Sequence, residues 1–452
     1  MAFKTHKKSF PKILILVGLL IMVGLMVAGC GRKEKINVGS QERSNKTRIQ
    51  IQNQNNQSSN QSQIQTPNGK NSNQENNPVA QNKNTTNPVN DKNISNTNNN
   101  NETNSTQTAI TWVKGDYSVK LTNASLNNSA VKGILFGQDW RTLEPSEGNY
   151  NWATLDNGLQ KIIDAKKAVS LNIMDTGART PDWVKNIPGV QLFFFYDTNK
   201  YQSTYCQKLT LPVYWDSIFL RKRKDFINAL ADHINKKFGS NVVKGVMVSP
   251  FASVNNDWFI PHTVGTSACG AEDDIQEWES LGYSNSKMLA AAEETINDWA
   301  AAFPGAVLKL PIAFSPQIGG NSTDLAEAVV NWAYYRYPTK FYAQMNGFFA
   351  QTPVATDPSV KNATPGTINY ILKLLTNRPQ MGLQMLASAT QGNSDGCRQN
   401  GKISPCPSYD VLSQSVNGAL SYNPSFIEYW SQDADNPQLL PILQNAEQRM
   451  NQ

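Results

Sequence analysis

Between Ile110 and Gln452 short apolar runs alternate with amphipathic stretches, and few folds accommodate a long sequence written that way. The apolar runs are Gly133 to Gly137, Val169 to Met174, Val243 to Val248, Val307 to Ala313, Phe341 to Met345, Gly382 to Ala387 and Phe426 to Trp430. They read as buried strands. The clearest helix between them is capped by Asp216, runs to Phe238 and stops at Gly239, with Ile218, Phe226, Ile227, Leu230 and Ile234 on one face. Others are expected at Leu155 to Lys166, Ser284 to Phe303, Leu325 to Tyr335, Thr367 to Leu375, Tyr409 to Leu420 and Pro437 to Met450. Such repetition asks for a parallel sheet covered by helices. The expected fold is α/β, a (β/α)8 TIM barrel, whose eighth strand lies near Ile110 to Val119 by preference or at Val190 to Phe195. An open doubly wound sheet is the alternative, although no glycine-rich phosphate loop follows any of the runs.

The residues ahead of this region are of two other kinds. Lys4, Lys7, Lys8 and Lys12 precede an uncharged apolar run from Ile13 to Val27, the layout of a secretory signal over residues 1–29. The run is shorter than the roughly 20 residues a spanning helix needs. It ends in Val27-Ala28-Gly29-Cys30, which resembles the bacterial lipobox, and that resemblance implies lipidation of Cys30 and attachment to a membrane on its extracytoplasmic side. An ordinary signal anchor with a chance cysteine is the alternative. Residues 30–108 are dominated by Asn, Gln, Ser and Thr and cannot bury enough apolar surface to offset backbone entropy. They read as a disordered tether, with a reach of about 50 Å as a flexible coil. A globular domain is expected over residues 109–452.

The formal charge of +6 belongs to these N-terminal segments. Four lysines and no acid lie in the first 29 residues, and nine basic and five acidic residues lie from 30 to 108, which leaves the globular part at −2. A near-neutral domain lacks the basic face of a nucleic-acid binder, and the basic tether suits an anionic surface. With Cys30 assigned to lipid, Cys206, Cys269, Cys397 and Cys406 remain in a compartment that permits disulfides. Cys397 and Cys406 share one Gly/Asn/Pro-rich loop and are paired locally, and Cys206 with Cys269 by elimination. A zinc site is the rival reading, disfavoured by a chain with three histidines, of which His6 leaves with the signal. No metal or cofactor is expected, and the domain is expected to act as a monomer.

The run Trp140-Arg141-Thr142-Leu143-Glu144-Pro145-Ser146-Glu147-Gly148-Asn149-Tyr150-Asn151-Trp152, followed by Leu155-Asp156, joins the first readable strand to its helix. Pro145 and Gly148 suit a tight turn packed by Tyr150 and Trp152, so Glu144 is read as structural. This run resembles a pattern of the TIM-barrel glycoside hydrolases of the β-galactosidase and cellulase-like clan. Pro181-Asp182-Trp183 and Pro212-Val213-Tyr214-Trp215-Asp216 add further matches in the clan's order. The resemblance implies two carboxylates flanking a glycosidic bond. It also implies an Asn-Glu pair after the fourth barrel strand and a Glu ending the seventh, and here the sequence departs. After Val248 the first carboxylate is Asp257, and Gln384 stands where the seventh-strand Glu is expected.

Glu428, inside an otherwise apolar strand, is costly to bury unless it points into a polar site, so Asp257 and Glu428 are the candidate catalytic pair. Arg141 or Arg179 would partner Glu428 if its role were only structural. Asp139 and Asp175, at the ends of the first two runs, are the reserves. Aromatic rings suit the C–H faces of sugars, and amides and acids suit their hydroxyls. Trp140, Asp175, Trp183, Trp258, Asn346, Gln384 and Trp430, with Asn172, are therefore candidate substrate contacts for a carbohydrate. The expected function is glycoside hydrolysis of a polysaccharide or oligosaccharide at the cell surface or in the periplasm. A glycan-binding or scaffold barrel without catalysis accommodates the two departures, and a sugar-importer binding lipoprotein, which requires two lobes, is the third reading.

Overall fold

The computed structural model describes residues 112–199, 202–255, 257–312, 317–319, 323–376, 378, 380–390, 396–399 and 402–452; the signal, Cys30 and the tether lie outside the described residues. Eight parallel strands close into a barrel: β1 (Gly115–Ser118), β2 (Val131–Asp139), β3 (Ala168–Met174), β4 (Val243–Met247), β5 (Val307–Ile312), β6 (Phe341–Phe348), β7 (Met381–Met385) and β8 (Phe426–Tyr429). Each strand pairs with the next, and β1 closes on β8 with Tyr117 opposite Glu428. The eighth strand is thus the stretch before Val119, while Leu192–Tyr196 forms an antiparallel hairpin with Lys208–Pro212. A closed barrel is not the two-lobed architecture that the importer reading requires.

Local chemistry explains where the helices begin and end. Asp216 Oδ1 accepts from the backbone N–H groups of Ile218 at 2.9 Å and Phe219 at 2.8 Å, and the helix Ser217–Phe238 ends at Gly239, whose φ of +95° suits glycine. Its buried face carries Phe219, Phe226, Ile227, Leu230 and Ile234 against the barrel. Each of these side chains contributes about 1.5–3 kcal/mol by burial. The short helix Asn123–Asn127 joins β1 to β2, helices Ala153–Asp164, Asn285–Ala302, Asp324–Arg336, Ile368–Thr376 and Ser408–Leu420 make the remaining crossovers, and Leu440–Met450 packs back against β1.

The barrel is stoppered at the end where its strands begin. Trp112 stacks on Tyr117 with centroids 5.0 Å apart and meets the edge of Phe426 at 5.2 Å, with Tyr342 beside them. Glycines leave room for these rings: a Cβ at Gly382 would run into Phe426, and one at Gly133 into Tyr117. At the opposite end the loops are stapled. Cys206 bonds Cys269, joining the first hairpin to a second, Val264–Ser267 with Gly270–Asp273, and Cys397 bonds Cys406. Both pairings agree with the sequence reading.

Candidate active site

Side chains pointing into the barrel from successive strands meet in a polar layer above the aromatic stopper. Glu428 of β8 and Lys309 of β5 form an ion pair there, both with 0% exposure. Lys309 Nζ also donates to Ser170 Oγ of β3 at 2.9 Å and lies 4.5 Å from the centre of the Phe426 ring. Glu428 Oε2 accepts from Gln344 Nε2 of β6 at 2.7 Å and from Gln384 Nε2 of β7 at 2.8 Å. Burial holds the lysine pKa below its ordinary value, against the upward pull of the facing carboxylate. Lys309 Nζ and two side-chain amides thus converge on the Glu428 carboxyl group.

One layer higher, Gln344 Nε2 donates to Asn346 Oδ1 at 2.7 Å, and Asn346 Nδ2 donates to Asp257 Oδ1 at 2.5 Å. Asn255 Nδ2 donates to Asp257 Oδ2 at 3.0 Å. The two predicted carboxylates are therefore joined by a hydrogen-bonded path through two amides on β6. Asp257 is half-buried, and desolvation raises its pKa above the ordinary range; the amide donors oppose this and the charge of Glu428 adds to it. One carboxylate is tuned toward its neutral form and the other is paired.

The loop that carries Asp257 is held by its neighbour. Ala178 N donates to Ser253 O at 2.7 Å, and Gly177, at φ +63°, lies so close that a Cβ there would run into the backbone of Ala252 and Ser253. Tyr214 Oη donates to Ala252 O at 2.9 Å from the far side.

Other predicted contacts are placed differently. Trp140 is fully enclosed, stacked on Phe226 at 5.0 Å and edge-on to Trp183, with Nε1 donating to Glu144 Oε2 at 2.8 Å. Glu144 Oε1 accepts from Gly148 N at 2.8 Å, so that carboxylate ties the turn to the core, the structural role expected of it. Trp258 is likewise enclosed, packed on Phe251 at 5.1 Å. As core residues Trp140 and Trp258 offer no face to a sugar. Asp175 is a second correction: its two oxygens take the fork of Arg223, Nε to Oδ2 at 2.8 Å and Nη2 to Oδ1 at 3.0 Å, in a buried pair under the helix Ser217–Phe238. The third concerns Glu428, whose charge partner is Lys309, whereas Arg179 and Arg141 bind Asp139 at 2.9 and 3.4 Å.

Trp183 and Trp430 remain half-exposed, their indole N–H groups donating to Glu144 O at 3.0 Å and Met385 O at 2.7 Å. Gln384 and Asn172 are half-buried, and Asn346 is 9% exposed. Lys309 and Gln344 were absent from the sequence-derived site. The signal was available, since Lys309 is a lone charge in Val-Leu-Lys-Leu-Pro-Ile as Glu428 is in Phe-Ile-Glu-Tyr. Two such strands of opposite sign in one barrel point at each other.

No protein-family model and no curated protein matches the sequence. Solved structures with a similar fold include a xylanase of Thermoanaerobacterium saccharolyticum in complex with xylotriose, at 13% identity and TM-score 0.37 over 70% of this chain and 86% of that one. A β-galactosidase from Marinomonas ef1 aligns at 9% identity and TM-score 0.44, over 74% of this chain and 59% of that one. The catalytic domain of a Paenibacillus polymyxa β-amylase aligns at 7% identity and TM-score 0.43, over 71% and 93%. All three are glycoside hydrolases, and at these identities each is a likeness of fold alone.

Proposed function

We propose that this chain is a lipid-anchored, extracytoplasmic glycoside hydrolase acting on a polysaccharide or oligosaccharide, with Asp257 as general acid and Glu428 as the charged partner. The observation that carries the reading is the path Asp257–Asn346–Gln344–Glu428 at the end of the barrel where the strands finish, which links a carboxyl raised toward its neutral form to one on which three donors converge. A protonated Asp257 supplies its proton to the leaving oxygen as the glycosidic C–O bond breaks, and water adds its oxygen to the anomeric carbon and gives up a proton that restores the acid. Half-exposed Trp183, Trp430 and Gln384 are the aromatic and amide contacts of the sugar. Location rests on the lysines before Ile13 and on the Val27-Ala28-Gly29-Cys30 signature, and the residue 30–108 tether lets the domain range from the lipid headgroups.

A second reading has its own observation. Glu428 has no exposed surface and is bonded to Lys309, Gln344 and Gln384, so a glycosyl ester on it requires those donors to part. A barrel that binds glycans without cutting them needs no such opening. The test is a panel of aryl glycosides and plant or microbial polysaccharides, assayed with wild type, Asp257→Asn and Glu428→Gln in parallel. The hydrolase reading expects losses of about 10² to 10⁴-fold for Asp257→Asn, with unchanged circular dichroism. Full activity in both variants overturns this site and leaves Asp139 as the next candidate. Binding with no cleavage by wild type establishes the second reading.

A further inference from the structure

Two guanidinium groups at the mouth share one carboxylate. Asp139, the last residue of β2, offers one oxygen, Oδ2, to both Arg179 Nη1 at 2.9 Å and Arg141 Nε at 3.4 Å. Asp175 is paired with Arg223, Glu428 with Lys309, and Asp182 with Lys185 at 2.7 Å, so none of these carboxylates is shared with Arg141 or Arg179 through an ion pair. The two guanidinium groups have the single Asp139 oxygen between them. They are reachable, since the side chains of Arg141 and Arg179 are 50% and 34% exposed against 15% for Asp139. Arg179 Nη2 and both Nη nitrogens of Arg141 have no hydrogen-bond partner among the described residues. Arg179 Nε donates to Val254 O at 3.4 Å, so this guanidinium also touches the loop that carries Asp257.

We infer that Arg141 and Arg179, gathered at the end of β2 and against the loop that carries Asp257, form an anion subsite that selects an acidic glycan, one whose sugars carry carboxylate or sulfate groups. The inference rests on reading this mouth as a glycan site. A guanidinium presents paired N–H donors in a planar fork that matches a carboxylate or a sulfate edge, which an uncharged sugar hydroxyl does not. The globular part carries a net charge of −2, so general attraction for polyanions does not produce the selectivity; it must come from the local fork.

The experiment measures binding of the full chain, by affinity electrophoresis, to polygalacturonate, dextran sulfate and uncharged dextran, with polyglutamate as a competitor that carries carboxylates but no sugar. At least one acidic polymer is expected to bind about ten- to a hundredfold more tightly than dextran. Which of the two does so separates uronic acid from sulfate ester. Arg141→Gln, at a half-exposed position, and Arg179→Lys, which keeps the charge beside Asp139 but loses the fork, should each remove most of that preference and leave dextran binding unchanged. Equal binding of all three polymers, no retention on either acidic polymer, competition by polyglutamate as strong as by the acidic glycan, or indifference to both substitutions overturns the subsite. Acidic-glycan binding without cleavage of any substrate would defeat the hydrolase reading and leave the subsite intact. Cleavage of neutral glycans with both arginines dispensable does the reverse.

Discussion

Lys309 and Glu428 meet inside the barrel from strands separated by two others, and neither side chain has any exposed surface. Their attraction offsets a desolvation cost that each would otherwise bear alone. Lys309→Met should therefore destabilise the domain by about 3–5 kcal/mol, because it strands a buried carboxylate. The double variant Lys309→Met/Glu428→Gln should recover most of the loss. Urea denaturation of the full cycle reads this directly, and strictly additive effects would show that the two groups are not coupled.

Asp257 gives the domain a dependence on pH with a definite sign. Its folded pKa is raised by burial, so its stabilising contribution is fully present below the unfolded carboxylate pKa, about 3.9, and is lost as pH rises through the folded value. Asp257→Asn should raise Tm at pH 7 relative to wild type, with the advantage shrinking as pH falls toward 4. The same protonation sets activity: turnover should decline as pH rises through the raised pKa, and a pH–rate profile of wild type lacking that alkaline limb would exclude Asp257 as the acid.

Much of the barrel was legible because strands and helices announce themselves by different means. The run from Asp216 to Gly239 has its cap, its apolar face and its stop in the sequence, and β2 to β8 each coincide with an apolar run. Glu144 was readable as structural because the Pro145–Gly148 turn needs something to tie it down, and its carboxylate does so. Exposure was not readable. Trp140 and Trp258 sit near strand ends, where a sugar platform or a core plug is equally at home, and only packing against Phe226 and Phe251 distinguishes them. Charge partners across the barrel were illegible for a related reason. Asp175 meets Arg223 over a separation of 48 residues and Glu428 meets Lys309 over 119, and neither spacing has a local period to betray it.

The Cys206–Cys269 bridge closes a separation of 63 residues between two hairpins. The chain-entropy relation sets about 4 kcal/mol as its contribution to global stability. Cys206→Ser/Cys269→Ser should lower stability by about 2–4 kcal/mol and speed proteolysis within residues 197–212 and 262–273. Unchanged denaturation midpoints in oxidised and reduced protein would show that the bridge contributes nothing.

Anchoring is tested at Cys30. The full chain expressed in a bacterium should partition with membranes, and Cys30→Ser should release it to the soluble extracytoplasmic fraction. Persistent membrane association of the Ser variant would assign attachment to some other segment.

The aromatic stopper of Trp112, Tyr117, Tyr342 and Phe426 makes the barrel a blind well. On the side away from the stopper, the Lys309–Glu428 pair is covered by the amides of Gln344, Asn346 and Gln384. On the proposed glycan reading, a long polymer would lie across the rim like a rope over a wellhead, presenting one bond at a time to Asp257. How far such a site would travel along a chain would then depend on what grips the polymer outside the well.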